Sequence, residues 1–357
     1  MDFALSADQL ALQSAVRDLI AAHADLTVVR SVVDDPAGDG DPPGLWDRMA
    51  AQGWPAILVP EEYDGLGLGL LDAAVVARCL GAGVVPGGFV PSVIGGEAVR
   101  LGGEEEQRKA WLPRLAAGEV RFAVALPSPT SSLPGITVSG GTLDGELRLV
   151  DYVHVAERLV VAAGDGLWLV DPAADGVTVT RTQVLDGTAR PSTVTLRGVA
   201  AERLPGGSPE VVAGLSLGAT ALVSNDLAGI ARTALDRTVE YLKTRQQFGR
   251  VVGSFQALKH GLADLDVDVT MAEHAAWYAA HALDVGAPDA AFAVSVAKAK
   301  TGDAGRLATE KMIQYHGGIG YTWEHEAHLF YKRAKRLAAQ AGSADAHRAR
   351  IAELTIG

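Results

Sequence analysis

Residues 241–260, YLKTRQQFGRVVGSFQALKH, form the stretch from which the rest of the chain can be interpreted. The stretch begins late in a helical pattern of apolar residues, and Gly249 is expected to break that helix. Arg245, Gln247 and Phe248 lie together at the break. A guanidinium binds phosphate oxygens with a planar fork of donors, an amide both donates and accepts hydrogen bonds, and an aromatic side chain can cover a flat ring. These residues predict a site for a phosphate-bearing, flat-ringed cofactor. The alternative is a solvated helix end with a buried Phe248.

The motif RxQFG at 245–249, followed by Phe255 and Gln256, resembles the acyl-CoA dehydrogenase family. In that family this segment reaches across a dimer interface to the FAD of the neighbouring subunit. A second match, QYHGG at 314–318, lies downstream within IQYHGGIGYTWEH. Two matches in the family's order are harder to obtain by chance than one. The resemblance also includes the N-terminal helices and PEEYDGLG at 60–67, so it extends along essentially the whole chain.

The composition argues against several classes of function. The chain has 357 residues and a net charge of −12, which is unfavourable for a surface that binds nucleic acid or an anionic membrane. No apolar run approaches the roughly 20 residues needed to span a bilayer, and the N-terminus lacks the basic and apolar segments of a secretory signal. The single cysteine, Cys79, excludes an internal disulfide and argues against a thiolate metal site. We therefore expect a cytoplasmic protein whose partners include neither a membrane nor a nucleic acid.

Three domains are predicted along the chain, at residues 1–118, 119–207 and 208–357. Helical patterns dominate the first domain, which opens with a capping box between Ser6 and Gln9. Short β-rich runs separated by Gly, Asp and Pro turns fill the second, so we predict a small antiparallel sheet domain there. Helical patterns then return and continue almost to the end of the chain. This order matches the α+β, mainly α architecture of the acyl-CoA dehydrogenase family, and the resemblance implies that the third domain is a four-helix bundle.

The chain departs from the family on one side of the flavin site. In the family, the subunit that holds the flavin ring uses a TEPxxGSD-like loop, an aromatic-Ile-Thr strand and an EGT motif near the C-terminus. Here the loop reads LPSPTSSLPG at 126–135, and the strand region LRLVDYVHVAERLVV lacks the aromatic-Ile-Thr triplet. The position of the catalytic Glu is occupied by Ala341, next to Gly342. The earlier helix position that some relatives use offers only Gly218 and Ala219.

The missing carboxylate affects the reaction that the resemblance implies. Formation of a 2,3-enoyl thioester requires a base that removes the α proton while hydride leaves the β carbon, and such proton transfer typically contributes about 10²–10⁴ in rate. Alanine cannot act as that base, so we assign no catalytic residue to this chain. Asp226 is a weak candidate for a displaced base, because an Asp in such a position is more often a solvated or capping residue.

These patterns lead to the hypothesis of a subunit of a heteromeric acyl-CoA dehydrogenase, which desaturates an acyl-CoA thioester. The resemblance implies an α2β2 heterotetramer in which this chain holds the adenosine and pyrophosphate of a shared FAD. A homologous partner then holds the flavin ring and supplies the catalytic Glu, and electron-transfer flavoprotein is the acceptor expected by family analogy. The predicted cofactor-binding residues are Arg245, Gln247, Phe248, Phe255, Gln256, Gln314, Gly317 and Gly318.

Three alternatives stay open at the level of sequence: a homo-oligomeric dehydrogenase with a relocated base, a flavin monooxygenase on the same fold, and a non-catalytic scaffold subunit. His316, inside the glycine loop, is expected to be a packing and backbone-positioning residue. His325 and His328, with neighbouring glutamates, have a metal-like spacing, but i to i+3 spacing alone is a weak signal. We expect an exposed helix face there and no metal.

Overall fold

The computed structural model describes residues 4–132 and 135–356. The chain divides into two compact units. One unit contains Met1–Thr27, Ala74–Val85 and Ala221–Gly357, and the other contains Val28–Ala73 and Pro86–Thr220.

The N-terminal region is helical, as predicted. Its helices are α1 (Ala7–His23), α2 (Leu26–Asp34), α3 (Leu45–Ala51), α4 (Leu70–Ala82), α5 (Phe89–Gly102) and α6 (Glu105–Ala116). The predicted capping box opens α1, because the Gln9 backbone N–H donates to Ser6 Oγ at 3.1 Å and the Ser6 N–H donates to Gln9 Oε1 at 3.1 Å. These reciprocal bonds satisfy two N–H groups at the helix start.

The middle region is a β domain, as predicted, and its described residues form two four-stranded sheets. Their orders are β1-β4-β5-β8 and β2-β3-β7-β6. The strands are β1 (Phe122–Ala125), β2 (Thr137–Ser139), β3 (Thr142–Asp151), β4 (Arg158–Ala163), β5 (Gly166–Val170), β6 (Val177–Arg181), β7 (Pro191–Ala200) and β8 (Glu202–Leu204). Inward-facing side chains from both sheets, among them Leu147, Val161 and Leu196, form one apolar core.

One strand pair departs from the antiparallel prediction. β1 lies parallel to β4, with Phe122 opposite Arg158. A parallel pair requires a crossover of a dozen or more residues, and the chain between these strands, 126–157, is long enough to provide it. β2 and β8 have three residues each, which is too short for an alternating pattern to reveal them in the sequence.

The C-terminal region is again helical, as predicted. Its elements are α7 (Pro209–Thr244), β9 (Gln246–Gln247), β10 (Arg250–Val251), α8 (Gln256–Asp284), α9 (Ala290–His316), α10 (Ala327–Ala339) and α11 (Ala344–Ile356). A Cβ at Gly229 would overlap the carbonyl oxygen of Arg78, so α7 approaches the backbone of α4 closely. Glu273 on α8 accepts hydrogen bonds from Arg78 and from Arg232 on α7. Two guanidiniums therefore neutralise one buried carboxylate and join three helices.

α7 corrects the expectation that no apolar run approaches the length of a membrane span. Among the described residues it is the one helix that is long and apolar enough to cross a membrane, judged by length and composition alone. In the structure, 67% of its most apolar 18-residue window is buried. A core helix packed within a protein meets the same criteria, so α7 is weak evidence for a membrane span.

Candidate functional site

The RxQFG motif forms a β-hairpin at the end of α7. The helix ends at Thr244 rather than at Gly249, and β9 and β10 pair in an antiparallel register with Gln247 opposite Arg250. Phe248 and Gly249, at the tip, have φ angles of 53° and 74°. Two consecutive left-handed residues make a turn whose twist matches the twist of the flanking strands. The prediction that Gly249 breaks the helix is therefore wrong. Gly249 is instead required by the turn of the hairpin.

The hairpin presents its side chains outward. Arg245, Gln247 and Phe248 are all exposed, with 87% of Phe248 accessible, so the alternative of a buried Phe248 is excluded. The Phe248 ring lies edge-on to the Phe255 ring at 6.2 Å, and the Arg250 guanidinium lies over Phe255 at 3.9 Å. Phe255, at the start of α8, thus supports the hairpin from one side, and an arginine, an amide and an aromatic ring remain available to a ligand.

Backbone contacts fix this hairpin to α7. The Arg245 N–H donates to Tyr241 O at 2.9 Å, and the Val252 N–H donates to Arg245 O at 2.8 Å. A Cβ at Gly253 would lie 2.8 Å from Leu242 O, so the segment that follows β10 lies directly against the last turn of the helix. The backbone of Arg245 is therefore held at the end of α7.

The glycine loop begins where α9 ends at His316. Gly317 has φ 65° and ψ −142°, a backbone conformation that favours glycine, and its N–H donates to Gln314 O. A Cβ at Gly320 would lie 2.6 Å from Ile313 O, so this glycine is required by packing within the chain. A Cβ at Gly317 or Gly318 would meet nothing within 4 Å. Both residues are exposed, so their backbone is open to a ligand from outside the chain.

The structure brings the hairpin and the glycine loop together. The rings of Tyr241 and His316 stack with centroids 4.3 Å apart, and the Tyr241 hydroxyl donates to His316 O at 3.3 Å. Tyr241 lies one helical turn before Arg245, and His316 directly precedes Gly317. His316 is only 5% exposed, and its Nδ1–H donates to Met312 O at 2.7 Å. These contacts agree with the packing and positioning role expected for His316.

The turn that contains Ala341 is organised around a buried cation. Lys298 on α9 is 0% exposed, and its ammonium donates to Ala338 O at 2.9 Å and to Gly342 O at 2.8 Å. The His347 Nε2–H donates to Ala341 O at 2.8 Å. The sequence of the turn, AAQAGS at 338–343, contains no carboxylate. Burial lowers the pKa of Lys298 to about 8. Burial also lowers the pKa of His347.

The loop that replaces the TEPxxGSD-like motif closes on itself. Leu133 and Pro134 lie outside the described residues, but the part at 126–132 is described. Ser128 and Ser131 exchange two backbone hydrogen bonds, of 3.0 and 3.2 Å. Their hydroxyls bond each other at 2.8 Å, and Ser128 Oγ also lies 3.2 Å from Thr130 Oγ1. The hydroxyls of this turn are therefore bonded within it.

Asp226 is paired within the protein interior. Arg333 on α10 grips both of its carboxylate oxygens, with Nε at 3.2 Å from Oδ1 and a terminal nitrogen at 2.6 Å from Oδ2. A third bond runs from Arg333 to Val85 O at 3.0 Å. Both side chains are nearly inaccessible. A carboxylate held in a buried bidentate pair is a structural anchor, and this geometry gives no support to Asp226 as a displaced base.

Residues of the described chain contain no group of three or more His, Cys, Asp or Glu placed to hold a metal ion. His325 instead packs its ring against His316 at 4.4 Å, and His328 stacks on Trp323 at 4.3 Å. These two histidines therefore pack against other rings, although their spacing in the sequence resembles that of metal ligands.

Comparison with known proteins decides the family. The family model of the acyl-CoA dehydrogenase N-terminal domain matches residues 6–119, and the family model of the acyl-CoA dehydrogenase C-terminal domain matches residues 206–355. The chain belongs to the acyl-CoA dehydrogenase family. These are flavoprotein oxidoreductases, and the helix–sheet–helix architecture expected from the resemblance is confirmed.

Several acyl-CoA dehydrogenase relatives match almost the full chain. Acyl-CoA dehydrogenase IpdE2 of Mycolicibacterium smegmatis is 30% identical over 333 residues, which are 92% of this chain and 93% of that protein. A variant of the Tcur3481-Tcur3483 steroid ACAD is 30% identical with a TM-score of 0.90, covering 98% of both chains. The ChsE4-ChsE5 complex from Mycobacterium tuberculosis is 25% identical with a TM-score of 0.89, covering 99% of this chain and 98% of that chain.

Three residues of the candidate site carry little signal in the sequence. Tyr241 and His316 lie in different helices, and nothing in either local pattern indicates that their rings stack. Lys298 stands in the Ala-rich run AVSVAKAKTG, on the same helix face as Val294 and Thr301. A lone lysine on an apolar helix face could have indicated a buried cation, although it does not name the carbonyls that the cation binds.

Proposed function

We propose that this chain is one subunit of a heteromeric acyl-CoA dehydrogenase that introduces an α,β double bond into an acyl-CoA thioester. In this proposal the chain supplies the adenosine and pyrophosphate side of a shared FAD site. A homologous partner supplies the flavin-ring side and the catalytic Glu. The observation that carries the proposal is an asymmetry: the hairpin and glycine loop are complete and open, whereas the turn at Ala341 lacks a carboxylate and closes around Lys298.

The residues of the binding side fit FAD. Arg245 has an exposed guanidinium directly after the end of α7, suited to the two negative charges of a pyrophosphate. Gln247 and Phe248 extend the same surface with an amide and a ring face. Gly317 and Gly318 leave open the space that a Cβ would fill, so the backbone can approach a dinucleotide closely. When bound, FAD accepts the hydride that leaves the β carbon of the thioester.

The base for the α proton is assigned to the partner. Ala341 carries no ionisable group, and Asp226 is engaged by Arg333. Lys298 would also oppose a base in this turn, because a nearby ammonium stabilises a carboxylate in its charged form and lowers its basicity. The residues of this chain therefore bind and orient, and proton removal is left to a carboxylate on another chain.

The relatives support a two-chain assembly by analogy. Two of the similar solved structures, Tcur3481-Tcur3483 and ChsE4-ChsE5, each carry the names of two proteins, and the second is a complex. The first is described as a steroid enzyme, so we propose a polycyclic acyl group of that class as the substrate, with electron-transfer flavoprotein as the acceptor. An α2β2 tetramer with two shared sites follows if each kind of subunit contributes one side.

Separate and joint expression test this proposal. The chain is produced alone, and also together with a homologous chain that retains the Glu and the TEPxxGSD-like loop. Alone it should purify with little or no FAD and show no acyl-CoA dehydrogenase activity. Joint expression should yield one FAD for each pair of unlike chains and turnover of an acyl-CoA, assayed with straight-chain and steroid thioesters. Stoichiometric flavin and turnover with the chain alone would contradict the proposal, and a partner fully active by itself would favour the scaffold alternative.

A further inference from the structure

A closed ring of side-chain contacts begins and ends on α7, next to the candidate site. Arg237 on α7 donates to Glu326 Oε1 at 2.7 Å. Glu326 Oε2 lies 3.9 Å from His325 Nε2. The His325 ring packs against the His316 ring at 4.4 Å, and His316 stacks on Tyr241 at 4.3 Å. Tyr241 lies four residues after Arg237, so both face the same side of the helix.

Hydrogen bonds fix the orientation of the two imidazoles. His316 Nδ1 lies 2.7 Å from Met312 O. A carbonyl only accepts, so this nitrogen carries the proton. His325 Nδ1 accepts from the Ala327 N–H at 3.1 Å, which leaves Nε2 as the donor that faces Glu326. Each ring is therefore held in one orientation and one tautomer, because rotation of the ring would break its hydrogen bond to the backbone.

The ring of contacts connects the two segments that the proposed function assigns to FAD. Arg245 follows Tyr241 by one helical turn, and Gly317 follows His316 directly. Gly317 and Gly318 have no side chains of their own with which to pack. A loop ordered before binding loses less conformational entropy when a ligand arrives, so contacts that hold His316 also prepare the backbone beyond it.

We propose that the contact ring of Arg237, Glu326, His325, His316 and Tyr241 is a positioning device that sets the Gly317 backbone against Arg245 and thereby determines affinity for the nucleotide half of the cofactor. This inference rests on the proposed function. His316 and Tyr241 are positioning residues, because they act through the glycine loop and the helix end.

The experiment compares shape-matched variants of His316 in the assembled complex stripped of flavin. His316→Phe retains a flat ring between Tyr241 and His325, whereas His316→Leu keeps bulk without a ring. Binding of FAD, and of ADP as a probe of the nucleotide half, is measured well below the melting temperature. Loss of two ring contacts should weaken both ligands about tenfold in His316→Leu, and His316→Phe should recover most of that affinity. His281→Leu, on the last turn of α8, is the matched control and should bind as the wild type does.

A second variant and a reference variant complete the test. Tyr241→Phe keeps the stacked ring and removes only the hydroxyl bond to His316 O, so it should fold and bind about threefold more weakly. If both His316→Leu and Tyr241→Phe bind as tightly as the wild type while Arg245→Ala loses affinity, the positioning inference is overturned and the proposed function stands. If Arg245→Ala also binds normally, the proposed function fails with it. Affinity losses in His316→Leu and His316→Phe that simply follow their losses of thermal stability would also overturn the inference, since that pattern marks general destabilisation.

Discussion

Phe248 illustrates how a single residue indicates the site. It holds a left-handed backbone conformation, with φ 53°, while 87% of its side chain is exposed. Such a conformation costs a non-glycine residue on the order of 1–3 kcal/mol, and residues of this kind cluster at functional sites. Part of the cost is offset by the twist of the hairpin and by the contact with Phe255. A ring held outward in this way is well placed to cover a ligand beside Arg245.

Substitution of Arg245 tests the site at the scale of one side chain. Arg245→Ala should weaken FAD binding by the assembled complex about ten- to a hundredfold, since a charge-assisted hydrogen bond contributes roughly 1.5–3 kcal/mol. Arg245→Lys should restore part of the loss, because an ammonium lacks the planar fork. Affinity is measured by flavin fluorescence titration of the stripped complex. Lys243→Ala, which removes an exposed cation paired with Glu240, is the matched control. Unchanged affinity in Arg245→Ala would remove this residue from the site.

At the scale of elements, α9 contributes both to the glycine loop and to the turn that contains Ala341. Its C-terminus opens into the glycine loop, and its buried face carries Lys298 to the end of α10. The carbonyl of Ala338 lies in the last turn of that helix, where the helix dipole favours a cation, and the carbonyl of Gly342 lies in the turn that follows. The ammonium thus closes the turn between α10 and α11 in the place where the family resemblance puts a catalytic carboxylate.

The burial of Lys298 predicts a pH dependence of stability. Its pKa falls from 10.5 in the unfolded chain to about 8 in the fold. Below pH 8 both states carry the proton, so the desolvation cost is fully present. Between pH 8 and 10.5 the unfolded state binds more protons, so the free energy of unfolding rises with pH, by about 3 kcal/mol in total from this group.

Urea unfolding at pH 7, 8, 9 and 10 measures this slope. The difference between the wild type and Lys298→Met should grow with pH in favour of the wild type. Lys300→Met, which removes an exposed lysine from the same helix, should leave the slope as it is in the wild type. Parallel pH profiles for the wild type and Lys298→Met would show that the buried ammonium does not titrate in this range.

At the scale of the whole molecule, a complete catalytic site is proposed to need two different chains. The residues proposed to bind FAD lie in the unit that contains Ala221–Gly357, and the loop at 126–135 lies in the other unit. Desaturation requires a carboxylate, and neither unit has one at the positions where the family resemblance puts the catalytic base. The base should therefore be found by changing the partner and not by repairing this chain.

Restoring a carboxylate by Ala341→Glu should not create an active site in this chain. The loop at 126–135 would still not present a flavin ring to the thioester, and a misplacement of about 1 Å can cost around a hundredfold in rate. Ala341 has a positive φ, which disfavours any longer side chain. Ala341→Gln is therefore the control that introduces the longer side chain without the charge. Turnover is assayed with each variant alone.

The complementary variant removes the catalytic Glu from the partner. When that partner is complexed with this chain, turnover should be abolished while flavin stays bound. Retained turnover in this complex, or dehydrogenation gained by Ala341→Glu alone, would place the base on this chain.

The amino-acid sequence alone was enough to predict the family, the helix–sheet–helix order, the motif residues of the hairpin and glycine loop, and the absence of a carboxylate at Ala341. These features are local, because periodicity, turn residues and motifs are written within short windows of the chain. The folded structure was needed to show that Tyr241 stacks on His316, 75 residues away, and that Asp226 pairs with Arg333 across 107 residues. It was also needed to show that Lys298 binds the carbonyls of the turn that contains Ala341. Such partners are chosen by the packing of whole helices, and a short window of sequence does not record which side chain lies opposite.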